Sequence, residues 1–110
     1  MYKQGEIVAV KFPFTDGSQF KKRPVLIVSN DLVNQTGDYL VIQITSKYVE
    51  DDLSILINNF DCDVPLPLKS YVRTHKIFTV NETLILSKIT NVNIDFLKVI
   101  SKKITDLVKV

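Results

Sequence analysis

Ile7-Val8-Ala9-Val10-Lys11-Phe12, closed by Pro13, and Pro24-Val25-Leu26-Ile27-Val28 are the two stretches on which the fold turns. In the first, Val8, Val10 and Phe12 fall on one face and Ile7, Ala9 and Lys11 on the other, the period of two that marks a strand. Gly5 supplies the turn before it, and Pro13 removes a backbone donor and ends it. The second stretch is apolar on both faces, as in a central strand covered from both sides, with Pro24 at its start. Between the two, Phe14 to Lys22 reads as a polar loop that turns at Asp16-Gly17 and leads into the basic run Lys21-Lys22-Arg23.

Working outward, Ser29 and Asn30 offer caps for one short helical turn through Leu32 and Val33, and Gly37-Asp38 turns the chain again. Tyr39 to Ile44 alternates as a third strand that delivers Thr45-Ser46-Lys47 at its end. Leu53 to Ile57 is a fourth, and Asn58 to Leu68, with Pro65 and Pro67, reads as irregular and extended. Ser70 to Lys76 is a fifth strand, with Tyr71, Arg73 and His75 on one face and Val72 and Thr74 on the other. After a turn at Asn81-Glu82, Ile85 to Ile89 is a sixth. The period then changes: Leu97, Ile100, Ile104, Leu107 and Val108 recur at helical spacing behind a cap at Asn93 and an acid at Asp95. Many short strands and one amphipathic helix predict a mainly β fold, a small, strongly bent antiparallel sheet or half-open barrel with the C-terminal α-helix packed on it.

A length of 110 residues, 45% of them hydrophobic and 24% charged, fits a single domain spanning 1–110 with one core. The net charge of +2 permits nucleic acid without demanding it. Scarcity excludes more. One cysteine, Cys62, and one histidine, His75, make neither an internal disulfide nor a closed zinc site. Gly5, Gly17 and Gly37 stand apart and form no phosphate-cradling motif. Apolar runs such as Val25 to Val28 are too short for a bilayer, so no membrane association is expected. The free thiol and the lack of a signal-type apolar core near Met1 point to the cytoplasm.

Three polar sets fall at loops or strand ends: Lys21, Lys22 and Arg23; Thr45, Ser46 and Lys47; Arg73, His75 and Lys76. Each has an ordinary use, as a solvated loop, as turn chemistry or as an exposed strand face. Each also has a chemical one. Arg23 directly precedes a rigid strand, which would hold its guanidinium fork for two contacts to an anion. A cation at Arg73 on a packed face would be costly, so the face it shares with His75 is expected to open to solvent or ligand. Histidine is the side chain best suited to move a proton at neutral pH, which makes His75 a candidate for proton transfer. Cleavage of RNA without a metal requires a base for the 2′-hydroxyl proton, cations for the charge growing on the phosphoryl oxygens, and an acid for the departing 5′-oxygen. Two arginines, two hydroxyls and one histidine would suffice. Asp51-Asp52 and Asp61-x-Asp63 read as solvated turns, so no metal and no cofactor are assigned.

The string Gly5-Glu6-Ile7-Val8-Ala9-Val10-Lys11-Phe12-Pro13-Phe14-Thr15-Asp16, followed by Lys22-Arg23-Pro24-Val25-Leu26-Ile27-Val28-Ser29, resembles the N-terminal signature of the PemK/MazF family of type II toxin–antitoxin toxins. Val41-Ile42-Gln43-Ile44-Thr45-Ser46 resembles its third-strand motif, and Ser70 to Val80 its later strand, so the likeness runs through essentially the whole chain. It implies an SH3-like barrel and a homodimeric, bacterial cytoplasmic endoribonuclease, independent of ribosome and metal. Such an enzyme would cut single-stranded RNA to 2′,3′-cyclic phosphate and 5′-hydroxyl ends. A cognate antitoxin would neutralise it, and DNA would be met only through the antitoxin complex.

By the same resemblance Arg23 and Thr45 are the catalytic pair of the MazF branch and Arg73 is the added arginine of the PemK branch; His75 joins the catalytic set by its own chemistry, and Asp16, Lys22, Ser46, Lys47, Tyr71 and Lys76 are assigned to substrate binding. Two positions depart from the family pattern. His75 stands where the PemK branch has an aspartate, and Phe78 where the MazF branch has an arginine, a contact that Lys76 would have to supply. Two other functions compete: a non-catalytic binding module like the related CcdB toxins, which inhibit gyrase, and a degenerate toxin acting only with its antitoxin on an operator.

Overall fold

In the computed structural model, which describes residues 1–13 and 20–110, six strands form one antiparallel sheet. They are β1 (Glu6–Pro13), β2 (Phe20–Ile27), β3 (Asp38–Thr45), β4 (Ser54–Ile57), β5 (Ser70–Asn81) and β6 (Ile85–Asn91), and they lie in the order β4-β5-β3-β2-β1-β6. A short helix α1 (Asp31–Asn34) joins β2 to β3, and α2 (Ile94–Val108) ends the chain. The mainly β architecture with a C-terminal helix is therefore as the sequence leads one to expect. The sheet is not closed: β4 and β6 remain as edges.

The alternation in β1 sorts side chains into two cores. Ile7 joins Leu26, Ile42, Val72, Phe96 and Ile100 on the face that α2 covers. Val8 and Val10 join Val25, Ile27, Tyr39, Val41, Val80 and Ile85 on the other face. β2 feeds both clusters from adjacent residues, as a strand apolar on both faces must. α2 starts where Asn93 accepts from the Phe96 amide at 2.9 Å, and it buries Phe96 and Ile100 fully, Leu97 and Ile104 partly. Leu107 and Val108, expected on the same stripe, are exposed, so the packed face ends at Ile104.

Three other expectations need correction. β2 begins at Phe20 and not at Pro24, because β1 holds it in a ladder through Phe12↔Lys21 and Pro13↔Phe20; Lys21 and Lys22 are strand residues. Asn58 to Leu68 is not wholly extended: a 3-10 helix, Asn59–Asp61, forms where Asp61 accepts from the Asn58 amide at 2.8 Å. β5 runs on past Lys76 to Asn81, because it changes its pairing midway. Going from Ile44 to Ile42 on β3, the partner on β5 jumps from Val72 to Ile77, so the intervening residues stand out of the ladder.

Candidate functional site

β2 and β3 pair only over Val25 to Ile27. Pro24, which has no amide proton to donate, occupies the position where that ladder stops. On the far side of it the two strands part, and a cleft of about 370 Å³ lies at the gap. One wall is Lys22, Arg23 and Pro24; another is Ile44, Thr45 and Ser46; Leu66 to Leu68, Ser70, Ala9 and Ile89 complete it. The antiparallel register Val25↔Gln43, continued by two residues on each strand, sets Arg23 opposite Thr45. Four of the residues picked from the sequence, Lys22, Arg23, Thr45 and Ser46, thus meet in one place.

Their environments suit an anion. Lys22 and Arg23 are exposed, and the Arg23 guanidinium carbon lies 5.8 Å from the centre of the Phe12 ring, a cation–π contact that restrains it. Thr45 is half-buried, and its hydroxyl oxygen accepts from the Lys47 amide at 3.1 Å, which folds Lys47 back beside the strand end. That bond is the turn chemistry expected of a hydroxyl there, and it leaves the hydroxyl proton to donate. Among the described residues, the polar groups that line the cleft are cationic or hydroxylic, with no carboxylate among them. Among the described residues no three side chains of His, Cys, Asp and Glu gather.

The second half of the expected site lies elsewhere. Arg73 does not stand on an open face: it is 8% exposed, and its Nη1 donates to Asp51 Oδ1 at 2.9 Å, Asp51 Oδ2 at 3.0 Å and Ser54 Oγ at 2.8 Å. The burial of a cation is here satisfied by an ion pair instead of by solvent. Asp51, expected as a solvated turn, is its partner, and no spacing signal in the sequence joins these positions, 22 residues apart. Asp51 is held below its ordinary value of 3.8 chiefly by the hydrogen bond from Arg73, then by the Leu53 amide, with partial burial opposing and the charges of Arg73 and His75 assisting. A carboxylate so stabilised is a weak base.

His75 and Lys76 are exposed just beyond Arg73, in the stretch that leaves the ladder with β3, and they do not line the cleft. Phe78 packs edge-on against Phe12, with ring centres 5.5 Å apart, at the rim of the inner core. Tyr71 stands opposite Thr45 across β3 and β5, which puts it next to the cleft. Its ring centre is 5.3 Å from that of Tyr48, a residue without any motif to draw notice in the sequence. Asp16 lies outside the described residues.

Comparison with known proteins gives consistent findings. The profile of PemK-like, MazF-like toxins of type II toxin–antitoxin systems matches residues 3–108. A search among the curated proteins gives no match. Among solved structures, a MazE–MazF complex from Deinococcus radiodurans superposes with a TM-score of 0.80 at 18% identity, covering 96% of this chain and 94% of that one. An endoribonuclease in complex with its cognate antitoxin from a mycobacterial species gives 0.78 at 19% identity, over 96% and 93%. The toxin MazF-mt6 of Mycobacterium tuberculosis gives 0.72 at 18% identity, over 92% and 93%. At such identities the likeness establishes a shared fold.

Proposed function

The chain belongs to the PemK-like, MazF-like toxins of type II toxin–antitoxin systems, and we propose that within that family it is an endoribonuclease that cuts single-stranded RNA without a metal. The observation that carries this reading is the meeting of Lys22, Arg23, Thr45 and Ser46 in one cleft where β2 and β3 part. Such a set binds a phosphodiester and favours the extra charge that develops on it. The 2′-oxygen attacks the adjacent phosphorus while its proton leaves to a base. The bond from phosphorus to the 5′-oxygen breaks, and that oxygen takes up a proton. The products are a 2′,3′-cyclic phosphate and a 5′-hydroxyl.

In this mechanism Arg23 offers its guanidinium to the non-bridging oxygens, Thr45 and Ser46 donate hydroxyl hydrogen bonds that orient the phosphate, and Lys22 and Lys47 hold the flanking phosphates. His75 exchanges protons with an RNA strand that continues from the cleft across β5, and Lys76 serves that strand's backbone. Arg73 acts from behind, through Asp51. The antitoxin would cover the same cationic surface with an acidic segment, so antitoxin and RNA compete. A two-fold dimer would join two short grooves into one able to read several nucleotides.

The test is incubation of purified protein with a long unstructured RNA in EDTA, followed by mapping of the cuts and their ends. Discrete cuts with cyclic-phosphate and 5′-hydroxyl ends are expected. Intact RNA from folded protein at high concentration would overturn the reading in favour of a binding module.

A further inference from the structure

The eight residues from Ser46 to Leu53 that join β3 to β4 are fixed at both ends. At the cleft end, the Lys47 amide donates to Thr45 Oγ1 at 3.1 Å. At the far end Leu53 is gripped three ways: its amide donates to Asp51 Oδ1 at 2.9 Å, and its carbonyl accepts from the Thr74 amide at 2.9 Å and the Thr74 hydroxyl at 2.7 Å. The Arg73 fork on Asp51 and Ser54 completes the clamp. What this connection presents is Tyr48, 58% exposed, with its ring tilted 50° against Tyr71. Tyr71 is in turn the cross-strand partner of Thr45.

From this arrangement we propose that Tyr48 and Tyr71 form a stacking platform for one RNA base, adjoining the phosphate held by Arg23 and Thr45, and that the Arg73–Asp51 clamp is what keeps the platform in place. The proposal rests on the ribonuclease reading for the identity of its ligand. An aromatic ring left more than half exposed costs solvation, and here it lies against Tyr71, the cross-strand partner of Thr45 in the phosphate-binding set. A single-stranded base is the ligand for which such a surface is suited, because unstacked bases bind aromatic faces while their phosphates meet cations. Anchoring the loop beforehand spares the ordering cost that a mobile loop would meet on binding. The platform selects by stacking strength, so it shapes sequence preference without reading base edges.

The experiment uses a fluorescent unstructured oligonucleotide of RNA sequence chosen by binding, with 2′-deoxy sugars throughout to block cleavage, and a series in which each nucleotide in turn lacks its base. For the wild type, one abasic position is expected to weaken binding about tenfold, within the range of a single base–aromatic stack. Tyr48→Ala should bind the intact oligonucleotide about tenfold more weakly and be indifferent to that abasic position. Tyr48→Phe should behave as the wild type, and Arg73→Lys should lie between Arg73→Ala and wild type in binding, with circular dichroism unchanged. Equal sensitivity of Tyr48→Ala and wild type to every abasic position would overturn the proposal. So would a Tyr48→Ala protein that binds RNA normally and loses only its antitoxin. A wild type that binds in this pattern yet never cuts the ribose form would sink the catalytic reading and leave the platform standing; a wild type that binds no oligonucleotide would sink both.

Discussion

Arg23 is the side chain whose loss the cleft should tolerate least. Arg23→Ala is expected to lower the cleavage rate about 10²- to 10³-fold, the scale of losing one preorganised donor to a developing oxyanion, with folding intact because the residue is exposed. Arg23→Lys keeps the charge, loses the fork and should recover only part of the rate. Single-turnover cleavage measures both. Asp51 makes a different prediction. Its folded-state pKa lies below the unfolded value, so the unfolded chain binds the proton more readily, and the stability the pair confers is present above the ordinary carboxylate value and lost as pH falls through the folded one. Asp51→Asn should therefore be less stable than wild type at pH 7 and converge with it at acid pH, as read by urea melts across the range. Of these residues, Arg23, Thr45 and Ser46 are legible because they adjoin the apolar runs by which the sequence marks β2 and β3. Asp51 is not, since an ion pair across 22 residues leaves no local trace. The face of Arg73 is illegible for the same reason: burying a cation is costly without a partner, and the sequence does not show Asp51 to be one.

At the scale of elements, α2 is the piece with the clearest energetics. Ile100 is wholly buried between the helix and the sheet, and Ile100→Ala should cost about 2–5 kcal/mol, while Leu107→Ala, at 42% exposure, should stay within about 0.5 kcal/mol. Denaturant titration of the two variants distinguishes a core stripe that stops at Ile104 from one that continues. Gly5 contributes through its backbone: at φ 91° it bonds Ile27 on β2 through its amide and Val92 beside β6 through its carbonyl. Gly5→Ala should lose about 1–2 kcal/mol from the left-handed conformation. Strand identities could be read because period two and period 3.6 are distinct signals. Strand ends could not. Phe20-Lys21-Lys22 has no apolar alternation and is a strand only because β1 supplies the ladder. Ile77 to Val80 continues β5 across a break that resets the period.

For the molecule as a whole, the modest net charge of +2 hides an uneven distribution, with Lys22, Arg23 and Lys47 around one cleft. If those three cations and Lys76 meet phosphates, the logarithm of RNA affinity should fall against the logarithm of salt with a slope of about −3, and Lys22→Ala should reduce that slope by about 0.7. A salt-independent affinity would place RNA elsewhere on the surface. The two cores explain how a chain of this size supports such a cleft: β2 is tied into both faces, so β2 and β3 can separate beyond Pro24 while the rest of the sheet stays packed.

The interruption in the β3–β5 ladder has a consequence for how such a protein can change over time. A regular ladder ties every residue to a partner, and gaining or losing one residue swings all those after it to the opposite face. Between Val72 and Ile77 the tie to β3 is absent, while Arg73 stays paired with Ser54 of β4 and Thr74 stays bonded to Leu53. His75 and Lys76, which have no partner in either of these two ladders, are thus a splice point, where length and composition can be rewritten while the register on either side is kept. Variation in surface chemistry has there a place to accumulate that leaves the scaffold unchanged.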